Sequence, residues 1–472
     1  MQNNHFEILI IGGGEAGKYL AWTMAKAGRR TAVVERGLIG GSCPNIACLP
    51  SKNIIHSAKV AALTARVAEF GVSTGPVTID MPAVRARKRQ MVDGLINLHL
   101  DRYKASGAHL ILGEARFVGH KTVDVTAKNG EIRVLTGDQV FLNLGTHAAI
   151  PDLPGLRAAK PLTHVEALEL DRIPRHLIVL GGGFVGLEFA QAMRRFGSQV
   201  TVVERGAQLC ASEDTDVAEA LFYLLQDEGI DVRLESDLMG VGGVSGQQVR
   251  MRIQGPQGEL SIEGSDVLVA AGRVPNTRDI GLEKTGVELD DRDYIRVNER
   301  LQTTAPGIWA MGECAGSPQF THVAFDDYRV VHENLTGGNR TTRDRIVPFC
   351  LFTDPEFARV GLNESEARRR AIPYRLGKIP MSSILRTRTI SEPRGFMKAL
   401  IAADSDEILG FAAFGAEAGE VMAVVQTAMI AKLPYPALRD AVFTHPTIAE
   451  GLTPLFAVVP TRSVTRAANL QS

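Results

Sequence analysis

Two cysteines stand five positions apart in the stretch Gly40-Gly41-Ser42-Cys43-Pro44-Asn45-Ile46-Ala47-Cys48-Leu49-Pro50-Ser51-Lys52, and the 472 residues hold only five cysteines. Thiols at that separation can do redox chemistry if they reach each other. A regular helix would hold them roughly 8–9 Å apart between Cα atoms, whereas a disulfide spans about 4.4–6.8 Å. If they pair, the turn between them is distorted, and a strained bridge is the readily reduced kind. If they do not, they are two neighbouring buried thiols. Pro44 suits the first position of a helix, which makes Cys43 the expected N-cap. A helix N-terminus favours a thiolate and lowers a cysteine pKa. Cys210, Cys314 and Cys350 have no such surroundings and read as spectators.

The elements around this stretch carry a glycine pattern that occurs twice. Phe6 to Ile11 is an apolar run that opens into Gly12-Gly13-Gly14-Glu15-Ala16-Gly17, followed by an amphipathic stretch to Gly28 and by Thr31-Ala32-Val33-Val34-Glu35. Strand, glycine turn, helix, strand and terminal acid make the dinucleotide fingerprint. Gly12, Gly14 and Gly17 let a pyrophosphate approach the helix N-terminus, and Glu35 is placed to accept hydrogen bonds from a ribose diol. The unit recurs at His176–Leu180, with Gly181, Gly183 and Gly186 in its turn and Glu204 closing its second strand. In both copies the acid lies 23 positions after the first glycine, 12 to 35 and 181 to 204. Two complete fingerprints imply two dinucleotides, most simply a flavin and a nicotinamide. Glu204 would repel a 2′-phosphate, which favours NAD(H) over NADP(H).

Bulk properties narrow the class. The length suggests about three domains. With 45% apolar and 22% charged residues and 47 glycines the composition is that of a globular protein. A net charge of −1 gives no reason to expect a nucleic-acid partner. The basic runs Arg85-Ala86-Arg87-Lys88-Arg89 and Arg368-Arg369-Arg370 read as solvated helix faces. No apolar run approaches the roughly 20 residues of a membrane span. A strand pattern by Phe6 leaves no room for a signal peptide. Five cysteines without framework spacing point away from a secreted scaffold. The expectation is a soluble cytoplasmic protein without a membrane segment, and none of its motifs suggests a metal site.

The cysteine stretch resembles the redox motif of the flavoprotein disulfide reductases, the family of glutathione reductase, dihydrolipoamide dehydrogenase and mercuric reductase. Its usual form is Gly-Gly-Thr-Cys, four residues, then Cys-x-Pro-Ser/Thr-Lys; Ser42 replaces the threonine and Ala47 stands where glycine is common. Thr303 to Glu313 resembles the family's second FAD motif, with Gly312-Glu313 in place of Gly-Asp. Gly272-Arg273-Val274-Pro275-Asn276 resembles the turn leaving the nicotinamide domain, and Asn143-Leu144-Gly145-Thr146 sits where the family has Ala-Thr-Gly-Ser. Phe443-Thr444-His445-Pro446-Thr447-Ile448-Ala449-Glu450 resembles its acid–base dyad. A lone His-Pro is more often structural, but the spacing to Glu450 matches the dyad.

The resemblance implies an α/β protein with two Rossmann-like domains, for FAD and NAD, and a C-terminal α+β dimerisation domain. The divisions are 1–150 with 276–345 for FAD, 151–275 for NAD(P)H, 346–460 for dimerisation and a polar tail at 461–472. It implies electron flow from NADH through FAD to a Cys43–Cys48 disulfide and on to a small oxidant or disulfide. Cys48 would face the flavin and Cys43 attack substrate. Lys52 would lie at the flavin's reactive edge, ion-paired with Glu188. Ala115, Gly145, Gly272, Gly312 and Glu313 join the cofactor-binding set. His445 would be the acid–base of thiol exchange, a task histidine suits, oriented by Glu450. In the family this dyad serves the partner subunit's disulfide, which implies a homodimer.

Within the family, Glu15-Ala16-Gly17-Lys18, Gln319-Phe320-Thr321-His322 with Asp326-Asp327-Tyr328-Arg329, and Phe443-Thr444-His445-Pro446 resemble the reactive-chlorine-responsive branch, which reduces hypothiocyanous acid or copper ions. That points to oxidant defence and redox homeostasis. A dihydrolipoamide dehydrogenase is the alternative, and so is a mercuric or metal-ion reductase without the usual C-terminal cysteine pair. A flavoprotein oxidase or transhydrogenase would not need both cysteines, and a retired redox sensor would not need the dyad.

Overall fold

The computed structural model describes residues 4–462, so the expected polar tail lies, beyond Arg462, outside the described residues. The chain divides into two compact units. One comprises the residues up to 181 with 192–203 and 236–345; the other comprises 182–191, 204–235 and 346 onward.

In the first unit the apolar run becomes β1 (His5–Ile11), followed by α1 (Glu15–Lys26) and β2 (Thr31–Glu35). Next come α2 (Ser42–Ile46), α3 (Cys48–Ala65), α4 (Met81–Ser106), β3 (His109–Leu112), β4 (Glu114–Gly119), β5 (Thr122–Thr126) and β6 (Ile132–Leu142). The sheet runs β3-β2-β1-β6-β5-β4, and Ile308–Ala310 also pairs with β6. β1 is flanked in parallel by β2 and β6, with Leu9 opposite Ala32 and Val140. Ile8, Leu9 and Ile10 have no exposed surface, which is why β1 reads as an unbroken apolar run rather than an alternating one. The second fingerprint's strands His176–Leu180 and Gln199–Val203 are parallel neighbours, and Asp266–Val269 pairs with the former on its other side.

In the second unit five antiparallel strands follow the order Phe349–Leu351, Glu356–Gly361, Ile408–Gly415, Phe396–Ala402, Tyr374–Pro380. The helix Ala418–Ile430 buries Ala418, Val421, Met422, Val425 and Ala428, the stripe a 3.6-residue period produces. That stripe shares a core with Phe411, Ala413, Leu455 and Phe456. Lys398, 1% exposed, enters this unit as a charge, and Asp214 (2.7 Å), Asp216 (2.7 Å) and Glu364 (3.2 Å) neutralise it.

The solvated-face reading of the first basic run holds only in part. Lys88 is 1% exposed and pairs with Glu169, which also binds Arg89. α4 therefore turns one lysine inward against a carboxylate, a placement that a run of like charges does not reveal.

Candidate active site

The two glycines before the cysteines have left-handed backbones, Gly40 at φ 85° and Gly41 at φ 87°. A Cβ on Gly41 would lie 2.6 Å from the Gly14 Cα, and one on Gly40 2.9 Å from the His99 ring. The pair thus turns the chain while keeping it against the first glycine loop. The Asn45 amide donates to Ile39 O (2.9 Å) and Gly41 O (2.7 Å). Lys18, almost fully buried, reaches Glu15 (2.7 Å), Gly40 O (3.2 Å) and His99 Nε2 (3.1 Å), tying α1 to the same turn.

α2 stops at Ile46, Ala47 takes φ −134° and ψ −105°, and α3 starts at Cys48. The helix is therefore broken between the cysteines. The expected N-cap is corrected: Gly41 caps α2, Ser42 is its first residue and Cys43 its second, because the glycine pair completes the reversal two residues earlier.

Both cysteines are thiols in this structure, and each drives the other's pKa in the opposite direction. The hydrogen bond with Cys48, then burial, pushes Cys43 far up. The bond from Cys43 lowers Cys48 to about 6 against the opposing effect of burial, with further help from Thr321 and Lys52. This reverses the expectation that the helix start favours a Cys43 thiolate. The closest donor to Cys48 outside the pair is Thr321, with Sγ and Oγ1 3.0 Å apart. Burial raises Cys210, and it pushes the fully enclosed Cys314 up to about 11, so neither is a nucleophile at neutral pH.

Cys43 lines a cavity of about 700 Å³ with Gly12, Gly14, Glu35, Ala115, Gly145, Gly312 and Glu313. Gly12 packs so tightly that a Cβ would lie 2.2 Å from Asn143 O, and one on Gly17 would lie 2.3 Å from Gly12 O. The buried Glu35 carboxylate is aimed by the amides of Gly13 (2.9 Å), Gly37 (2.8 Å) and Leu38 (2.8 Å). Glu313 accepts from the Thr146 hydroxyl and lies 3.4 Å from Arg273. Its extra methylene is spent on that contact.

Two side chains of this region were given no role by the motif reading, although Asn143 lay in one of its segments. The Asn143 side chain accepts from Gly17 N (3.0 Å) and donates to Met311 O (3.0 Å), joining the first glycine loop to the second FAD motif. His164 also lines the cavity, and its buried Nε2 has no hydrogen-bond partner among the described residues. Burial and then Arg273 push its pKa down to about 4, which keeps the ring neutral. The only legible signal was the capping box Thr163-x-x-Glu166, which holds His164 at the start of its helical turn. The glycine cradle, the oriented acid and an unsatisfied imidazole nitrogen fit FAD.

In the second fingerprint Gly181 has φ 113°, and a Cβ there would lie 2.5 Å from Ala270 O. Glu204 accepts from Gly182 N and Gly206 N, each at 2.7 Å, the arrangement found at Glu35. Gly183 has open space where its Cβ would be, and Gly186 is buried. Gly272 is left-handed at φ 119°. Glu188 accepts from Phe352 N at 3.0 Å. His445 Nδ1 and Glu450 Oε2 are 2.9 Å apart, with the histidine side chain 64% exposed.

These features define a flavin-dependent dithiol oxidoreductase. The chain belongs to the pyridine nucleotide-disulphide oxidoreductase family, whose profile matches residues 6–327 and whose dimerisation domain matches residues 347–455. Its homologues are FAD-dependent enzymes that use a pyridine nucleotide. The pyridine nucleotide-disulfide oxidoreductase RclA of Escherichia coli K12 is 33% identical over 97% of this chain and 100% of its own length. The mitochondrial dihydrolipoyl dehydrogenase of Pisum sativum is 32% identical over 94% and 90%. The solved Cu(II) complex of the HOCl-induced flavoprotein disulfide reductase RclA matches with a TM-score of 0.88 at 33% identity, covering 97% of this chain and 100% of that one. Among the described residues no helix is long and apolar enough to cross a membrane.

Proposed function

We propose that this enzyme is a cytoplasmic, NADH-preferring disulfide reductase of oxidant defence, with hypothiocyanous acid or copper ions as substrate class. The observation that carries the reading is the asymmetric thiol pair beside the FAD cavity: a Cys48 thiol lowered to about 6 next to a Cys43 thiol raised well above it. When bound, FAD supplies two-electron transfer between a nicotinamide and the dithiol. Cys48 holds the thiolate, and Cys43 is the thiol that meets substrate. Lys52 acts electrostatically on Cys48 and pairs with Glu188 on this reading. His445, oriented by Glu450, moves the proton of thiol exchange, and in a homodimer it serves the partner subunit's cysteines. The domain division is FAD at 1–150 and 276–345, nicotinamide at 151–275 and dimerisation at 346–460. Glu204 supports NADH, since a second negative charge beside its oriented carboxylate is unfavourable.

The test is oxidation of NADH and of NADPH by the flavin-loaded enzyme against hypothiocyanous acid, lipoamide, glutathione disulfide, cupric ion and mercuric ion. Fast turnover with hypothiocyanous acid or cupric ion, lost in Cys43→Ser, supports the proposal. Preferred turnover of lipoamide makes the enzyme a dihydrolipoamide dehydrogenase instead. A higher kcat/KM for NADPH than for NADH overturns the nucleotide assignment.

A further inference from the structure

Thr321 begins the 15-residue helix Thr321–Leu335, whose N-cap, Phe320, makes no side-chain capping bond. The Thr321 hydroxyl lies 3.0 Å from Cys48 Sγ. Val323 N and Ala324 N both return to Phe320 O, each at 3.1 Å. The hydroxyl therefore does not serve as the helix cap; it points at the sulfur from the positive end of a four-turn helix. A helix start of that length favours an anion, and a hydroxyl donor to a charged acceptor makes a stronger bond than one to a neutral acceptor.

We infer that Thr321 is a positioning residue that donates its hydroxyl hydrogen to the Cys48 thiolate and fixes which of the two sulfurs carries the charge. The inference rests on the dithiol reading above. The same hydroxyl lowers both thiols, but on Cys43 it is outweighed by the bond with Cys48 and by burial. The groups acting on Cys48 are Cys43, Thr321, Lys52 and its own backbone N–H, while Glu15, paired with Lys18, acts on Cys43. His322, next on the helix, stacks on Phe320 at 5.2 Å between ring centres. Thr321 is thus an uncharged donor from outside the cysteine segment, and removing it leaves the dithiol and the charges in place.

The experiment is the pH profile of iodoacetamide alkylation at Cys48 in the reduced holoenzyme, read by fragment mass spectrometry to separate it from Cys43. Thr321→Val preserves the volume and removes the donor, and Thr321→Ser restores it; flavin absorbance checks that each variant retains FAD. The expected midpoint for Thr321→Val is higher than wild type by about one pH unit, the size of a lost hydrogen bond to a charged group, with Thr321→Ser close to wild type. If Thr321→Val loses the flavin, the Thr321→Ala and Thr321→Ser pair makes the same comparison. Unchanged midpoints in the valine or alanine variant overturn the inference and leave the dithiol reading intact. A serine variant shifted as far as valine also overturns it. A wild-type midpoint in the ordinary thiol range overturns the dithiol reading itself.

Discussion

The dithiol and the histidine dyad are built in opposite ways. The cysteines are half-enclosed, held by a glycine pair that admits no side chain and by a broken helix, and their protonation is set by each other before any outside charge acts. The dyad is a single contact, His445 to Glu450 at 2.9 Å, with most of the histidine in solvent. A buried pair can hold one proton asymmetrically because in a low-dielectric site neighbouring groups cannot ionise independently. An exposed pair has water as a competitor for every hydrogen bond it makes. On the proposed function the first is a preset electronic device, and the second a proton carrier that stands open to solvent in the single chain.

The largest expected effect tests the preset half. Cys43→Ser removes the proposed exchange thiol, and disulfide turnover should fall by more than roughly 10³-fold, as for deletion of a catalytic nucleophile. Flavin reduction by NADH, followed by stopped-flow absorbance, should survive. Loss of both would mean that Cys43, not Cys48, lies on the path from the flavin. Next in size is the carrier: His445→Gln should lower turnover by about 10²- to 10⁴-fold, the usual contribution of a general acid–base, again with flavin reduction intact. A loss below tenfold would mean that water does the work of the dyad.

The asymmetry also has a pH signature. Thiolate is the reactive form, and a thiol lowered to about 6 loses it as pH falls through that value. Alkylation of Cys48 should therefore rise about tenfold from pH 5 to pH 7 and then level off. A rate still climbing at pH 8.5 would contradict the buried-pair picture.

How legible these regions were in sequence follows from what makes each one. The first fingerprint could be read because its glycine spacing and the acid at the end of β2 lie within one strand–helix–strand unit, although what Gly12 packs against, Asn143, is distant in sequence. The distorted turn between the cysteines could be anticipated only on the condition that they pair, since spacing alone left two neighbouring thiols open. The cap could not, since the reversal occurs at Gly40 and Gly41 through contacts with Gly14 and His99, which are distant in sequence. The thiolate assignment by helix start failed for the same reason: the partner sulfur outweighs the end of a five-residue helix. Asp327, part of a segment that suggested a functional branch, is a fully buried acceptor for Gly312 N, Ser317 and Arg345. Its visible meaning is to hold the second FAD motif. His164 was marked only by the capping box beside it, because its significance lies in an unmet nitrogen inside a cavity that only the folded chain creates.

The smallest effect is the sharpest test of the contrast. Glu450→Gln removes the charge beside His445 but keeps an oxygen that can accept from Nδ1, so ring orientation is retained and only the electrostatic part is lost. Exposed ion pairs contribute little, and the expected fall in turnover is about fivefold at most. If the free dyad is as open in the working enzyme as here, added salt should shrink the difference between wild type and variant, because screening acts on exposed charges. A drop of a hundredfold or more, insensitive to salt, would show that the dyad works desolvated. The carrier would then be as enclosed as the dithiol during turnover, and an interface formed over His445 would have to supply that enclosure.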